Sequence, residues 1–188
     1  MSYDLWAFPV PSGRDPLEAA MQLLEDQERE LEARDPEPQI EAIKRTLADA
    51  ICSGNPKMTP FALEYERIAE IEKITVEEAK RRYRYIELDG PDDGNGIQVT
   101  LYDGYATVTV PYWHQGPKAE SVFKEIWGYL RLLSEKGAYV CYDPQLERIL
   151  RLDSDFDAVV KRYVAVVQQV TGCLSASAKA RKPWWKFW

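Results

Sequence analysis

The stretch from Ile97 to Tyr112 constrains the fold more strongly than any other part of the chain. Apolar and polar residues alternate at 97–102 and again at 105–112, which is the period of a strand with one buried face. Asp103-Gly104 lies between the two runs and favours a two-residue type I′ turn, because both residues tolerate positive φ. The sequence therefore predicts an antiparallel hairpin here.

Helical spacing of apolar residues dominates the chain before this hairpin and returns after it. It predicts helices from Pro16 to the break at Asp35-Pro36, over 40–51, from Thr59-Pro60 to about Glu72, from Val76 to Arg82, from Lys118 to Lys136, and from Ser154 to Gly172. Alternation predicts further strands over Tyr3 to Val10, Tyr85 to Leu88, Ala138 to Tyr142 and Leu146 to Leu152. Helices followed by hairpin-connected strands are typical of the α+β class. We expect a mainly antiparallel sheet of about five or six strands, with helices packed on one face.

The length of 188 residues fits one domain followed by a tail. Residues 174–183 are small, polar or basic, as in a flexible tether. We therefore expect a single α+β domain over 1–173 and a flexible basic and aromatic tail over 174–188. The first residues do not follow the charged-then-apolar pattern of a signal segment, so we expect none, and no apolar run approaches the ~18 residues that suggest a membrane span. Three widely spaced cysteines without a CxxC pair are typical of a reduced, cytoplasmic protein.

The balance of charge bears on which partners the chain can bind. It carries 31 acidic and 24 basic residues, for a formal net charge of −7. An acidic surface disfavours nucleic acid, since phosphate contacts need clustered lysine and arginine. A basic protein surface is the partner that this charge favours, by complementarity and electrostatic steering.

The segment from Pro111 to Gly116 is the first candidate for chemistry. Trp113 and His114 follow a predicted strand end, where functional residues are often placed. His114 could act as a general base if the fold brought Asp143 or Cys141 to it, although no nucleophile motif such as GxSxG is present. The alternative is that these aromatic residues only cover the end of the core. His114 is the one histidine in the chain, so we expect no multi-histidine metal site, and no cofactor.

The loop from Asp89 to Gly96 is the second candidate, with three aspartates and three glycines. It has neither the register of a calcium-binding EF-hand loop nor the GxxxxGK[ST] pattern of a phosphate-binding loop. A strand-connecting loop is the simplest interpretation, and its acidic tip suits contact with a basic partner. The residues we predict to bind a partner are Asp89, Asp92, Asp93, Trp113 and His114.

The C-terminal tail is the third candidate, because aromatic and basic residues crowd its last ten positions. Exposed aromatic side chains at this density indicate a contact with a protein groove or with the chain's own domain. A membrane surface is the less favoured alternative, and ten residues are too few to span a bilayer. The predicted contact residues of the tail are Trp184, Trp185, Phe187 and Trp188.

Three short segments carry a resemblance to a known kind of protein. The opening Met1 to Leu5, the strand end Pro111 to His114, and Tyr142 to Gln145 together resemble small uncharacterised bacterial proteins of the toxin-immunity kind. The resemblance implies a cytoplasmic, non-enzymatic protein that binds a toxin and occludes its active site. The alternatives are a small enzyme with a site around His114, or a peripheral membrane protein that uses its tail.

Overall fold

The chain folds around an antiparallel sheet. The structure is a computed structural model that describes residues 2–26, 37–90 and 95–180, and for residues 171–180 it describes the backbone alone. The described elements are β1 (Ser2–Pro9), α1 (Pro16–Asp26), α2 (Pro38–Gly54), β2 (Thr59–Pro60), α3 (Tyr65–Glu72), α4 (Val76–Arg82), β3 (Ile86–Asp89), β4 (Gln98–Leu101), β5 (Ala106–Pro111), α5 (Gly116–Gly137), β6 (Tyr139–Asp143), β7 (Arg148–Ile149) and α6 (Phe156–Ala180). The predicted α+β class is confirmed.

The strands follow the order β2-β3-β4-β5-β1-β6-β7. β1 is an interior strand, since Ser2 pairs with Pro111 of β5 while Trp6 pairs with Tyr142 of β6. The described part of the sheet has seven strands rather than five or six: the additional strand is the two-residue edge strand β2, whereas the strand predicted over Leu146 to Leu152 is the short edge strand β7. Thr59-Pro60 was predicted to begin a helix and instead forms β2, an edge position where proline is tolerated.

The two faces of the sheet are covered by different helices. Successive side chains of a strand point to opposite faces, so Tyr3 and Leu5 enter one apolar cluster and Trp6 and Phe8 another. The first cluster is the main core, in which buried residues of α2, α5 and α6 pack against the sheet. The apolar stripe predicted for α5 is buried there. As predicted, α2, α5 and α6 pack on one face of the sheet. Helix α1 lies on the opposite face, against β6 and β7.

The hairpin between β4 and β5 has the predicted strands but a different turn. Leu101 pairs with Ala106, and the Tyr102 N–H donates to the Tyr105 carbonyl at 2.8 Å. Positive φ angles occur elsewhere in the described chain but not at Asp103 or Gly104, so the turn is not type I′. The Asp103 carboxylate accepts hydrogen bonds from Lys44 and Arg84, and these distant contacts fix the turn.

Helix α6 extends past the position where the sequence predicts its end. Its backbone remains helical through Gly172 to Ala180, so residues 174–180 belong to the helix. A glycine inside a helix costs about 1 kcal/mol relative to alanine, which does not stop a helix whose following residues are good helix formers. Trp184, Trp185, Phe187 and Trp188 lie outside the described residues. None of the described helices is long and apolar enough to cross a membrane.

Candidate functional site

The loop after β3 and the segment after β5 meet at one end of the sheet. β4 and β5 are antiparallel neighbours, so the start of one strand lies beside the end of the other. Nε2 of His114 is 2.6 Å from the carbonyl oxygen of Asn95, at the loop's C-terminal end. Gly96 packs so closely on Trp113 that an added Cβ would lie 2.7 Å from Cζ2 of the indole ring. The structure thus brings together two segments that the sequence singled out separately.

The predicted partner-binding residues occupy different depths at this end of the sheet. Trp113 is 60% exposed, Asp89 is partly exposed at the end of β3, and His114 is only 4% exposed. Asp92 and Asp93 lie outside the described residues, between the described positions Gly90 and Asn95. Trp113 and Asp89 therefore offer surface to a partner, whereas the buried His114 side chain offers very little.

His114 ties three elements together from inside the fold. Its backbone N–H donates to the Tyr163 hydroxyl of α6 at 3.1 Å, and that hydroxyl donates to the Pro111 carbonyl at 2.5 Å. Burial lowers the pKa of His114, the nearby Lys118 charge lowers it further, and the Asn95 carbonyl acts in the opposite direction. The imidazole is therefore neutral near pH 7. It holds the loop through the Asn95 carbonyl, while the backbone N–H of the same residue contacts α6.

Trp113 is exposed but held in place at its base. Its backbone N–H donates to the Pro111 carbonyl at 3.0 Å, and its indole Nε1 lies 3.0 Å from Nε2 of His114. Nε2 of His114 cannot accept a hydrogen bond from the Trp113 indole and donate one to the Asn95 carbonyl at the same time. The two hydrogen bonds therefore belong to different tautomers of the imidazole. In either tautomer Gly96 and Pro111 lie against one side of the Trp113 indole ring. A fixed aromatic side chain loses little conformational freedom on binding.

The carboxylates of β3 make the neighbouring surface negative. Asp89 accepts a long hydrogen bond of 3.4 Å from Gln98 Nε2. Glu87, two residues earlier, has a raised pKa because it is partly buried and because Asp89 lies close to it. Both side chains point to the same face of the sheet, since alternate residues of a strand do so. This crowding of like charges attracts a cationic group.

A polar network behind the loop was not predicted from the sequence. Glu125 of α5 accepts hydrogen bonds from Asn55 at 2.8 Å, from the Tyr129 hydroxyl at 2.6 Å, and from Asn95 Nδ2 at 3.2 Å. Burial and the Glu125 carboxylate raise the pKa of Tyr129, and Asn55 acts the other way. The network fastens Asn95 to α5 and to the end of α2. The sequence signal for it is faint: Glu125 and Tyr129 are four residues apart beside an apolar stripe.

The groups considered for catalysis are engaged in separate structural contacts. Asp143 accepts from the Tyr3 hydroxyl at 2.6 Å and from the backbone N–H groups of Gln145 and Leu146. Burial raises the pKa of the Cys141 thiol to about 12, and its Sγ lies 3.8 Å from the Leu130 carbonyl. The described hydrogen bonds of His114 go to Asn95, Tyr163 and Trp113, so they do not assemble a histidine-activated nucleophile.

Neither a metal site among the described residues nor a known relative adds to this geometry. Within residues 2–26, 37–90 and 95–170, no group of three histidine, cysteine, aspartate or glutamate side chains is arranged to hold a metal ion. Comparison of the chain with protein-family models, with curated proteins and with solved structures finds no match.

Proposed function

We propose that this protein is a non-enzymatic binding module of the immunity type, which binds and neutralises a cognate bacterial toxin. One observation carries the proposal: Trp113 is 60% exposed, yet its base is fixed by Gly96 and His114 beside an acidic loop. Tryptophan is among the residues that contribute most to protein–protein binding energy. Pre-ordering the ring reduces the entropy lost on association.

The charge around Trp113 supports a basic partner. Glu87 and Asp89 lie on β3, which β4 separates from β5, and the sequence places Asp92 and Asp93 in the loop between β3 and Asn95. Acidic residues around an aromatic centre speed the encounter with a basic surface and disfavour acidic competitors. We therefore propose a basic toxin domain as the partner, with Trp113 at the centre of the contact and the aspartates around it.

The proposal assigns His114 a positioning role. Its side chain is buried, its Nε2 contacts the Asn95 carbonyl, and its ring packs edge-on against Trp113. Substitution of His114 would then weaken binding indirectly, by releasing the loop, whereas substitution of Trp113 would remove the contact itself.

Affinity capture with matched variants tests the proposal. Wild type, Trp113→Ala and Phe61→Ala serve as baits in lysate of the native cells; Phe61 is a second exposed aromatic residue, 51% exposed, between β2 and α3. We expect one stoichiometric partner to be retained by wild type and Phe61→Ala and lost from Trp113→Ala. Removal of a central tryptophan costs about 2 kcal/mol or more, which is at least a tenfold loss of affinity.

A second pair of baits tests the charge requirement. Asp92→Lys/Asp93→Lys reverses charge in the acidic loop, and Glu66→Lys/Glu70→Lys makes the same change in net charge on exposed positions of α3. Only the loop variant should fail to retain the partner. The captured partner, once identified, should be toxic to cells that express it without this protein. Retention that is indifferent to both Trp113 and the loop would refute the proposed surface. A captured partner without toxicity would refute the immunity function.

A further inference from the structure

A row of tyrosine side chains crosses one end of the sheet, on the face opposite the main core. Ile86 pairs with Leu101, so Tyr85 and Tyr102 lie opposite each other one position further along the two strands. The ring centroids of Tyr85 and Tyr102 are 5.5 Å apart, with their planes inclined at 48°. On its other side Tyr102 stacks on Tyr105, with centroids 4.4 Å apart. Three neighbouring strands therefore contribute one ring each to a continuous aromatic row.

This row is buried at one end and accessible at the other. Tyr105 is only 4% exposed, and its ring stacks on both Trp6 and Tyr102. Tyr85 and Tyr102 are partly exposed to solvent. Because Tyr105 covers one side of the Tyr102 ring, the accessible part of that ring is on the side towards Tyr85. The main contacts of α1 with the sheet are to β6 and β7, away from this end of the row.

Glu87 places a carboxylate beside the two accessible tyrosines. It follows Tyr85 by two residues, so both side chains point to the same face of the sheet. Glu87 pairs with Thr100, which makes Tyr102 its diagonal neighbour on β4, within reach of a long side chain. Burial and the charge of Asp89 raise the pKa of Glu87. A cation bound here would relieve the repulsion between the two carboxylates.

The arginines that precede this site in the sequence are engaged by other carboxylates. Arg81 and Arg82 pair with Glu78 of α4 at 2.5 and 2.7 Å. Arg84 donates to Asp103, at the turn that is also bound from α2. These pairings already use the nearest cationic side chains of the chain, so a cation beside the two tyrosines is one that a partner supplies.

The chemistry of the site favours a guanidinium group. A cation is attracted to the face of an aromatic ring by the quadrupole of the ring. A guanidinium also stacks on aromatic rings and donates to a carboxylate from a rigid fork, whereas an ammonium is a compact point charge. Small ligands bind in cavities that cover most of their surface, and Tyr85 and Tyr102 lie on an accessible sheet face instead. The occupant is therefore a side chain that a larger molecule presents.

We propose that Tyr85, Tyr102 and Glu87 receive an arginine side chain of a basic protein partner. The guanidinium lies over the accessible tyrosine rings and donates to the Glu87 carboxylate. This site rests on the proposed function for its partner, and it adds a second contact to that of Trp113. Gly96, which packs on Trp113, is six residues from Tyr102, a distance of at most about 22 Å. An interface of roughly 800 Å² per partner is about 30 Å across, so one partner can cover both sites.

Two short peptides test the arginine site in the full chain. One is an end-blocked pentapeptide with a central arginine between glycines, and the other has citrulline in place of the arginine. Citrulline is neutral and nearly identical in shape, so the pair isolates the charge of the guanidinium. We expect the arginine peptide, at millimolar concentration, to shift the backbone amide resonances of Tyr85, Glu87 and Tyr102 saturably. The citrulline peptide should leave these resonances unchanged.

Matched variants separate the ring and the carboxylate from the overall charge. Tyr85→Leu removes the aromatic ring and Tyr85→Phe retains it, so we expect only the leucine variant to weaken peptide binding several-fold. Glu87→Gln should also weaken binding, whereas Glu70→Gln, the same change at an exposed position of α3, should not. Equal binding of the two peptides, or equal binding by wild type and Tyr85→Leu, would overturn the arginine site.

Tyr85→Leu as a bait in the affinity capture distinguishes failure of this site from failure of the proposed function. Binding of the arginine peptide without capture of any toxin would support the arginine site and refute the immunity function. A toxin retained equally by wild type and Tyr85→Leu, with no peptide binding, would overturn the arginine site and leave the immunity function intact. Amide shifts at Tyr102 that grow with protein concentration alone would make a second copy the occupant, which also overturns the proposal.

Discussion

Nε2 of His114 lies 2.6 Å from the carbonyl oxygen of Asn95, and this contact joins the end of β5 to the loop that precedes β4. The same residue donates its backbone N–H to Tyr163 of α6. His114 therefore connects the loop, through its side chain, with a helix of the main core, through its backbone N–H. The position of the neighbouring Trp113 depends on this connection, since its ring packs against both His114 and Gly96.

Replacement of His114 should destabilise the fold and release the loop. His114→Ala leaves the Asn95 carbonyl without its imidazole partner in a buried setting, which costs about 1–3 kcal/mol. Urea denaturation measures the loss in free energy of unfolding, and hydrogen exchange should show faster exchange at Asn95 and Gly96. Phe61→Ala, at a half-exposed aromatic residue, should change stability by less than about 0.5 kcal/mol. Similar losses in both variants would contradict the structural role of His114.

The depressed pKa of His114 predicts a dependence of stability on pH. Burial, together with Lys118, holds this pKa below its ordinary value of 6.5 against the opposing effect of the Asn95 carbonyl. The unfolded chain therefore takes up its proton at higher pH than the folded protein does. The free energy of unfolding should fall as the pH drops below about 6.5, until the folded pKa is reached.

His114→Gln isolates this effect, because His114 is the only histidine in the chain. Burial raises the pKa values of Asp143 and Glu87, but these groups titrate in both proteins and their contributions cancel in the difference. Denaturation of wild type and variant between about pH 5 and 8 should show the difference in stability shrinking towards low pH. Parallel stability profiles would mean that His114 titrates as it does in the unfolded chain.

The close packing of Gly96 under Trp113 gives a prediction with an internal control. Gly96 has φ +61°, and an alanine Cβ would lie 2.7 Å from Trp113 Cζ2 and 2.9 Å from Pro111 Cγ. Gly116 has φ +54° with nothing within 4 Å of such a Cβ. Both alanine variants incur backbone strain of about 1–2 kcal/mol, and Gly96→Ala must also displace the indole ring. We expect Gly96→Ala alone to alter the near-ultraviolet circular dichroism of tryptophan. Equal effects of the two substitutions on stability and spectrum would argue against the packing described for Trp113.

Local patterns in the sequence predicted most of the fold. The apolar stripe of α5 and the alternation of β4 and β5 are set by residues close together in the chain, so their periods can be read directly. The errors occurred where distant contacts decide the outcome. The turn at Asp103 is fixed by Lys44 and Arg84, and Thr59-Pro60 becomes a strand because it pairs with Leu88 and Asp89.

The candidate site was predicted as a set of residue types, without its geometry. Trp113 and Asp89 were found because exposed aromatic residues and acidic loops stand out in a sequence. Their placement at the same end of the sheet depends on the pairing of β3, β4 and β5, which no short motif encodes. The burial of His114 depends on Tyr163, 49 residues further along the chain. The link through Glu125 and Asn55 spans a similar separation, and sequence reasoning missed it for the same reason.

The buried lysine that fixes the hairpin turn provides the last prediction. Lys44 is only 1% exposed, and its Nζ lies 2.7 Å from both Asp103 Oδ1 and Glu41 Oε1 and 2.8 Å from the Arg84 carbonyl. Removal of one partner from a buried ion pair leaves an uncompensated charge, so Lys44→Met should cost about 3 kcal/mol in free energy of unfolding.

Lys124 offers the matched control, because it pairs with Glu120 at the same 2.7 Å on the exposed surface of α5. Water screens that pair, and Lys124→Met should cost less than about 1 kcal/mol. Urea denaturation of the two variants measures the loss in free energy of unfolding at each site. The substitution and the distance between the charges are the same at both sites, so the difference between the two losses reports the effect of burial. A loss at Lys44 no larger than the loss at Lys124 would show that the Arg84 guanidinium alone is sufficient to hold Asp103, and that the lysine adds nothing to the turn.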